Sequence, residues 1–183
     1  MTRRKLSMPM AVPAVLAVLA VLPATGVAQQ FTPPAGGSTP STGTRLGLFG
    51  FGVRGGVDVT HGGQMIFGTT LDVGDLFAPQ VRIRPSAEIG VFNGGNTYVG
   101  SLEALWRFTD DNQTAIPYVG AGLSLAGHQA CGADPSCPTV WVNMVLGFEL
   151  HYRSSFNWLI EYHGMDALRR HRFYIGLTTR RGG

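Results

Sequence analysis

The sequence predicts a closed, up-and-down β-barrel of eight antiparallel strands with an apolar surface facing lipid. The first observation is alternation: in residues 81–91 (VRIRPSAEIGV) every odd position is apolar and every even one is charged, small or polar. Strand side chains point alternately to opposite faces, so such a strand has one oily face and one charged face. The second is that about eight such segments follow one another, with few apolar residues left to fill a core between two sheets. The third is an export signal at the N-terminus.

Eight strand segments are predicted, and turns rich in Gly, Asn and Asp separate them. None of the chain after the export signal has helical periodicity of useful length. Residues 45–183 are therefore expected to form one barrel domain. The predicted strands cover residues 45–58, 64–74, 80–92, 97–108, 116–127, 139–152, 155–164 and 171–180.

In each predicted strand, the residues at alternate positions form an uncharged apolar face. The residues between them form a face of charged residues and glycines. An eight-stranded barrel is only wide enough inside for side chains, so the glycine-rich face belongs inside. The apolar face then points outward, which lipid requires and water does not tolerate. A soluble lipocalin-like barrel has the opposite pattern and is disfavoured. The charged residues expected in the lumen are Arg54, Asp58, Asp72, Arg82, Arg84, Glu88, Glu103, Arg107, Glu149 and Glu161.

Residues 1–28 have the pattern of a secretory signal peptide cleaved after position 28. Residues 3–5 are basic, residues 8–22 are apolar, and small residues lie before the cleavage point. A retained anchor helix is disfavoured, because spanning a membrane takes roughly 20 apolar residues. Residues 29–44 are rich in Pro, Gly, Ser and Thr, and we expect them to be a disordered leader.

The charge balance disfavours nucleic acid as a partner. The chain has 14 Lys and Arg residues and 11 Asp and Glu residues, a surplus of three that equals the three basic residues at positions 3–5. Loss of the signal peptide therefore leaves a formally neutral chain. Nucleic-acid binding would need a basic stripe on the mature fold.

The two cysteines, Cys131 and Cys137, lie six positions apart in a turn-rich stretch. In an exported protein this spacing indicates a local disulfide. Metal ligation is the alternative, and it is disfavoured because no histidine partners stand near the thiols at finger-like spacing. The sequence predicts no metal and no cofactor.

Residues 116–123 (IPYVGAGL), the signal peptide and the eight alternating strands together resemble the small outer-membrane β-barrel proteins of the OmpA and OmpX type. The resemblance covers about residues 45–180. It implies an outer-membrane location, contact with outer-membrane lipid, and insertion by the barrel-assembly machinery. We expect a monomer. The chain ends in two arginines and two glycines, where these proteins usually finish on an aromatic residue that the machinery recognises.

The resemblance also implies that both termini lie in the periplasm, so the turns after strands 1, 3, 5 and 7 face outward. The longest of these, residues 127–138, holds both cysteines. An interfacial girdle of aromatic side chains is expected at the inner rim. Its members are Trp106, Phe108, Tyr152, Phe156 and Trp158.

The leading functional hypothesis is a structural or surface-interaction protein of the outer membrane that carries out no chemistry. Eight strands leave no aqueous channel, and the lumen charges, with Arg172 and Arg180 at the rims, are expected to plug the barrel as a salt-bridge network. Six positive residues then balance six negative ones. A narrow transport pore is an alternative that this balance disfavours.

A lipid-modifying enzyme acting at the outer rim is another alternative. Its candidate residues are scattered over several loops and show no catalytic spacing, so a non-enzymatic role is favoured. Arg169, Arg170 and Arg172 are candidates to hold lipopolysaccharide phosphates, although a charge run in a loop is more often only solvated. The candidate catalytic residues are His61, His128, Ser136, Asp166 and His171.

Overall fold

The structure is a computed structural model and describes residues 43–60, 63–92, 95–110, 113–134, 136–153 and 155–180. Neighbouring strands in the chain pair antiparallel, and the first pairs with the last to close the barrel. The predicted fold class, an eight-stranded antiparallel up-and-down transmembrane barrel, is confirmed. The strands are β1 Arg45–Asp58, β2 Gln64–Asp75, β3 Val81–Val91, β4 Thr97–Arg107, β5 Ala115–His128, β6 Thr139–His151, β7 Phe156–Met165 and β8 Arg170–Thr179.

Every strand end lies within one residue of the end predicted from alternation and turn residues. A single short 3-10 helix, Cys131–Ala133, lies between β5 and β6 among the described residues. No helix in the described part of the chain is long and apolar enough to cross a bilayer. The predicted signal peptide and nearly all of the predicted leader lie outside the described residues.

The two faces of the strands are disposed as the parity predicts. In the middle of β4, the side chain of Leu102 is 58% exposed while its neighbour Glu103 is 1% exposed. The same alternation runs along β3, where every second residue is buried. A continuous apolar outer surface around a buried charged interior suits a barrel surrounded by lipid.

The connections between strands are short at both ends of the barrel. One end, called the cysteine-loop end, carries connections 59–63, 92–96, 129–138 and 166–169. The other, called the terminus end, carries connections 76–80, 108–114 and 152–155 together with the start of β1 and the end of β8. The ten-residue connection that holds the cysteines is the longest, as expected.

Two register shifts meet in the terminus-end half of β2. Between Thr70 and Gly74 this strand has one more residue than the facing stretch of β3, which contains Pro85. Proline has no N–H to donate to a neighbouring strand, so a bulge is a natural place for it. The register between β1 and β2 also shifts, between Leu46 and Gly50.

The aromatic side chains predicted for the inner rim lie exposed around the terminus-end parts of β4, β6 and β7. Their exposed fractions run from 39% to 59%. Tyr152 and Trp158 contact each other edge to face, with their ring centroids 5.7 Å apart. Such rings suit the boundary between lipid and water. The residues are Trp106, Phe108, Tyr152, Phe156 and Trp158.

The closure of the barrel leads to a prediction about gel migration. The mature protein, folded in detergent, is expected to migrate differently on a denaturing gel before and after boiling. The reason is that closure pairs every strand on both edges, so detergent has no open edge at which to begin unfolding. Identical migration before and after boiling would contradict a stable closed barrel.

Candidate functional site

A chain of alternating charges crosses the barrel lumen. It draws on five strands, and each member contacts one or two residues of opposite charge. Every side chain in it is buried. In spatial order the members of this charged chain are Asp58, Arg172, Glu88, Arg54, Glu161, Arg84 and Glu103.

Glu161 has four partners among the described residues of the lumen. Its carboxylate lies 2.5 Å from the guanidinium of Arg54 and 2.5 Å from that of Arg84. The hydroxyl of Tyr118 donates a third hydrogen bond at 2.5 Å, and Nε2 of His163 lies 3.2 Å away. Hydrogen bonds to charged groups are among the strong ones, so Glu161 anchors the middle of the lumen.

Glu88 joins the two halves of the charged chain. One carboxylate oxygen accepts a 2.5 Å hydrogen bond from Arg54. The other accepts hydrogen bonds from Arg172 at 2.9 Å and from the Tyr174 hydroxyl at 2.8 Å. Arg172 in turn donates to Asp58 at 3.0 Å, so the charged chain reaches the cysteine-loop end.

Glycines let side chains two strands apart meet. Arg54, Gly68 and Glu88 stand in one row across β1, β2 and β3. Arg54 bonds Glu88 over Gly68, where an added Cβ would lie 3.0 Å from Glu88 Cγ. Tyr118 reaches Glu161 over Gly147 in the same way, because a Cβ there would lie 2.7 Å from the Tyr118 hydroxyl. The shared face of charges and glycines is thus a packing requirement of the lumen.

A smaller polar group occupies the terminus end of the lumen. Nε of Arg82 lies 3.2 Å from Asp72, and Nη1 lies 3.7 Å from Glu149. Asn157 donates a 3.0 Å hydrogen bond to Glu149. Arg107 is buried nearby on β4. With the charged chain, these side chains account for all ten lumen residues expected from the sequence.

Apolar residues line part of the lumen, which the sequence analysis missed. They occupy the same alternate strand positions as the charged residues, so the sequence pattern could have placed them in the lumen. Only charged residues and glycines were assigned to the inward face. One cluster comprises Leu105, Tyr118, Val145 and Leu159. A second comprises Val99, Ala126 and Met165, with Trp141 packed against it.

Trp141 is the inward-facing aromatic residue nearest the mouth at the cysteine-loop end. The guanidinium of Arg170 stacks over its ring at 4.8 Å from the centroid, and that of Arg172 lies at 5.9 Å. A cation over an indole face is held by the ring quadrupole. The Trp141 ring and the two arginines therefore narrow this mouth of the barrel.

Above Trp141, a cavity of about 460 Å³ opens at the cysteine-loop end. Its walls are polar and include Asp58, Gln64, Thr97, His128 and Arg170. Arg170 lies 3.8 Å from Asp58, and the hydroxyl of Thr97 donates to Gln64 at 2.9 Å. These wall residues bond one another, which leaves a shallow polar cup.

The structure brings two of the five candidate catalytic residues together, at Asp134. Ser136 donates its hydroxyl to Asp134 Oδ1 at 2.7 Å, and Nε2 of His128 lies 3.2 Å from Oδ2. The hydrogen bonds from Ser136 have the largest effect on the Asp134 carboxyl, followed by the contact with His128, and together they lower its pKa below the ordinary value. A nucleophilic serine needs the histidine as its neighbour, and here the carboxylate lies between them.

The remaining candidates lie elsewhere. The ring of His171 pairs with the Tyr162 hydroxyl at 2.7 Å, and Asp166 belongs to the turn between β7 and β8. His61 lies outside the described residues. These positions share no site with Asp134 in the described part of the chain.

The three arginines suggested to hold lipopolysaccharide phosphates do not form one exposed cluster. Arg169 is exposed and Arg170 is half-buried over Trp141. Arg172 is 1% exposed and bonds Asp58 and Glu88. The inward parity of Arg172 commits it to the lumen, so it is not available to share a phosphate with Arg169 and Arg170.

Cys131 and Cys137 are joined by a disulfide in the connection between β5 and β6. His128, at the end of β5, comes close to them, and a nitrogen of its ring lies within 4.8 Å of both sulfurs. The sequence disfavours metal ligation because no histidine partners stand near the thiols at finger-like spacing, and the structure nevertheless brings the His128 ring beside both sulfurs. The backbone turns between His128 and Cys131, which spacing alone did not show.

The disulfide makes a second prediction. In intact cells, neither Cys131 nor Cys137 is expected to react with a thiol-alkylating reagent until a reductant is added. The disulfide closes a loop of only a few residues, so its effect on global stability should be modest. Quantitative alkylation of both thiols without reductant would count against the bond in the cell.

The fold is similar to solved outer-membrane barrels. No protein-family model matches the chain, and no curated protein matches it in sequence. The chain is similar to the N-terminal β-barrel domain of Pseudomonas aeruginosa OprF, with a TM-score of 0.54 and 15% identity over 73% of this chain and 98% of that one. It is also similar to Neisserial surface protein A, with a TM-score of 0.53 and 11% identity over 72% and 94%. The chain thus has the fold of the small outer-membrane β-barrels.

Proposed function

We propose that this protein is a non-enzymatic barrel of the outer membrane whose lumen is closed to solutes, with a structural or surface-interaction role. The observation that carries the proposal is the charged chain from Asp58 to Glu103, in which every carboxylate contacts at least one guanidinium. Buried charges are stable only when they are paired and hydrogen-bonded. This pairing leaves little attraction for a passing ion.

The surroundings of the charged chain support closure. The apolar cluster of Leu105, Tyr118, Val145 and Leu159 fills one side of the lumen. Trp141 and its two arginines narrow the mouth at the cysteine-loop end. An eight-stranded barrel has no room for a water column beside such side chains.

A location in the outer membrane is supported by the predicted export signal and by the outer surface. Apolar side chains cover the lipid-facing side of all eight strands, and exposed aromatic rings lie at the terminus end. Antiparallel strands of 10 to 14 residues are long enough to cross the hydrocarbon layer, which takes about 9 to 11 residues when tilted. The cup at the cysteine-loop end is then the surface offered to the outside.

Chemistry is disfavoured by the geometry of the polar loop residues. Asp134 holds Ser136 and His128 on opposite oxygens, so neither activates the other. The carboxylates of the lumen are engaged by arginines and leave no acid and base facing a common substrate position. A barrel that acts through its shape and surface fits these contacts best.

A conductance measurement tests the proposal. The purified protein, inserted in a planar lipid bilayer, is expected to give no stepwise current above the leak of the bare bilayer. A porin reconstituted in parallel reports that insertion and recording work, and the heat-dependent gel shift reports that the inserted protein is folded. Regular current steps whose number rises with added protein would overturn the closed lumen and favour the narrow pore.

A further inference from the structure

The connection between β5 and β6 gathers a set of soft metal donors. A ring nitrogen of His128 and the sulfurs of Cys131 and Cys137 all lie within 4.8 Å of one another. Asp134 adds a carboxylate oxygen 3.2 Å from Nε2 of His128. Two thiolates and an imidazole are the ligands that Zn²⁺ takes in proteins, whereas Ca²⁺ and Mg²⁺ prefer oxygen.

The hydrogen bonds around His128 set the tautomer of its ring. The backbone N–H of Ala130 donates to Nδ1 at 3.2 Å, so Nδ1 carries the lone pair, and a metal ion must displace this hydrogen bond to bind there. Nε2 then carries the proton and donates it to Asp134. A metal-ligating histidine characteristically donates its second ring N–H to a carboxylate, which sets the tautomer and raises the basicity of the ligating nitrogen.

The surroundings of the two sulfurs also favour metal binding. The backbone N–H of His128 donates to the sulfur of Cys131 at 3.2 Å, a contact that stabilises negative charge on sulfur. Gly127 leaves space beside both cysteines, since a Cβ there would lie 3.2 Å from the Cys131 sulfur and 3.9 Å from the Cys137 sulfur. The cysteines are partly exposed, so a reductant and a metal ion can reach them.

We propose that this connection is a redox-gated zinc site, in which His128, Cys131 and Cys137 bind Zn²⁺ when the disulfide is reduced. Two molecules of a small thiol supply two electrons and two protons, which break the S–S bond, yield two cysteine thiols and leave the small thiol as its own disulfide. Zn²⁺ then displaces both thiol protons and forms two Zn–S bonds and one Zn–N bond, and water takes the fourth position. In the reverse direction the disulfide of the small thiol accepts two electrons and two protons, returns to two small thiols, re-forms the Cys131–Cys137 bond and releases the ion.

Zinc binding at this connection is separate from the proposed envelope role and does not depend on it. The strands end at His128 and begin again at Thr139, so the whole site lies outside the lumen and its charged chain. Zinc binding can be absent while the lumen stays closed, and the lumen can conduct ions while the connection binds zinc.

The test is a metal titration of the full mature barrel in detergent. The protein is reduced with a dithiol, freed of reductant without oxygen, and titrated with Co²⁺, which shows a thiolate-to-cobalt absorption band when bound by cysteine. One Co²⁺ per chain and displacement by Zn²⁺ are expected. The oxidised protein is expected to show no band, and Zn²⁺ is expected to protect the reduced thiols from alkylation.

Three variants separate the proposed site from a simple pair of thiols. His128→Asn is expected to weaken binding at least tenfold, and Asp134→Asn by about 10- to 100-fold, the range found when a residue that orients a ligand is removed. His171→Asn, at the same end of the barrel but bonded to Tyr162, is the matched control and should bind as the wild type does. The heat-dependent gel shift identifies variants that remain folded.

Two results would overturn the zinc site. One is the absence of the cobalt band in reduced protein that remains folded. The other is equal affinity in the wild type and in both His128→Asn and Asp134→Asn, because the thiols would then bind the ion without the ring that defines the site.

Discussion

Glu161→Leu is expected to lower the free energy of unfolding by about 3 to 5 kcal/mol, the loss seen when one partner of a buried ion pair is removed. The substitution leaves the guanidiniums of Arg54 and Arg84 without their shared carboxylate, and the Tyr118 hydroxyl without its acceptor. Neither arginine can reach water, because both side chains are buried in the lumen. Urea titration of the protein folded in lipid vesicles measures the change.

Glu149→Leu is the matched control at the terminus end. Nη1 of Arg82 lies 3.7 Å from Glu149, and Arg82 keeps Asp72 at 3.2 Å when Glu149 is lost. The loss of stability should therefore be smaller than for Glu161→Leu. Equal effects at the two positions, or a change below about 1 kcal/mol at position 161, would show that the charged chain does not hold the barrel together.

Leu102→Arg is expected to destabilise the barrel by about 2 to 4 kcal/mol, the penalty for a charge facing lipid near the bilayer midplane. Leu102 is the central residue of β4 and points outward between Pro85 of β3 and Leu123 of β5. An arginine there must hold its charge in hydrocarbon or bend toward a distant interface. The same unfolding titration in vesicles applies.

Two further variants show whether lipid is the cause. Leu48→Arg makes the same change at an exposed position near the terminus end of β1, where the penalty should fall to about 0 to 1 kcal/mol. Leu102→Met should change stability by less than about 1 kcal/mol, because lipid chains adapt to the shape of the side chain. If Leu102→Arg were as mild as Leu48→Arg, the outer face would not be in hydrocarbon.

The strands and their faces could be predicted because both are local properties of the chain. Alternation marks each strand, Gly, Asn and Asp mark each turn, and a run such as residues 81–91 needs no distant residue to be interpreted. The choice of inner face also follows locally, since glycines share a parity with the charges. A position such as Gly68 shows why, because Arg54 and Glu88 need the space above it.

The pairing of the lumen charges could not be predicted from the sequence. Arg54 and Glu161 are 107 positions apart, and they meet only because closure places β1 and β7 on either side of β8. The irregularities between β1 and β2 and between β2 and β3 shift the register by amounts that alternation does not reveal. The approach of His128 to the cysteines depends on the path of a ten-residue connection that has no periodic pattern.

The charged chain has a consequence for how the barrel reaches its folded state. Arg172 on β8 bonds Asp58 on β1 across the junction of the first and last strands, and Arg54 on β1 bonds Glu161 on β7. A sheet still open between β1 and β8 would expose two unpaired strand edges and also carry bare charges into the bilayer. Half-closed forms should therefore be too unstable to accumulate. We therefore expect the barrel to insert into the membrane, to pair its lumen charges and to join β1 to β8 in a single kinetic event.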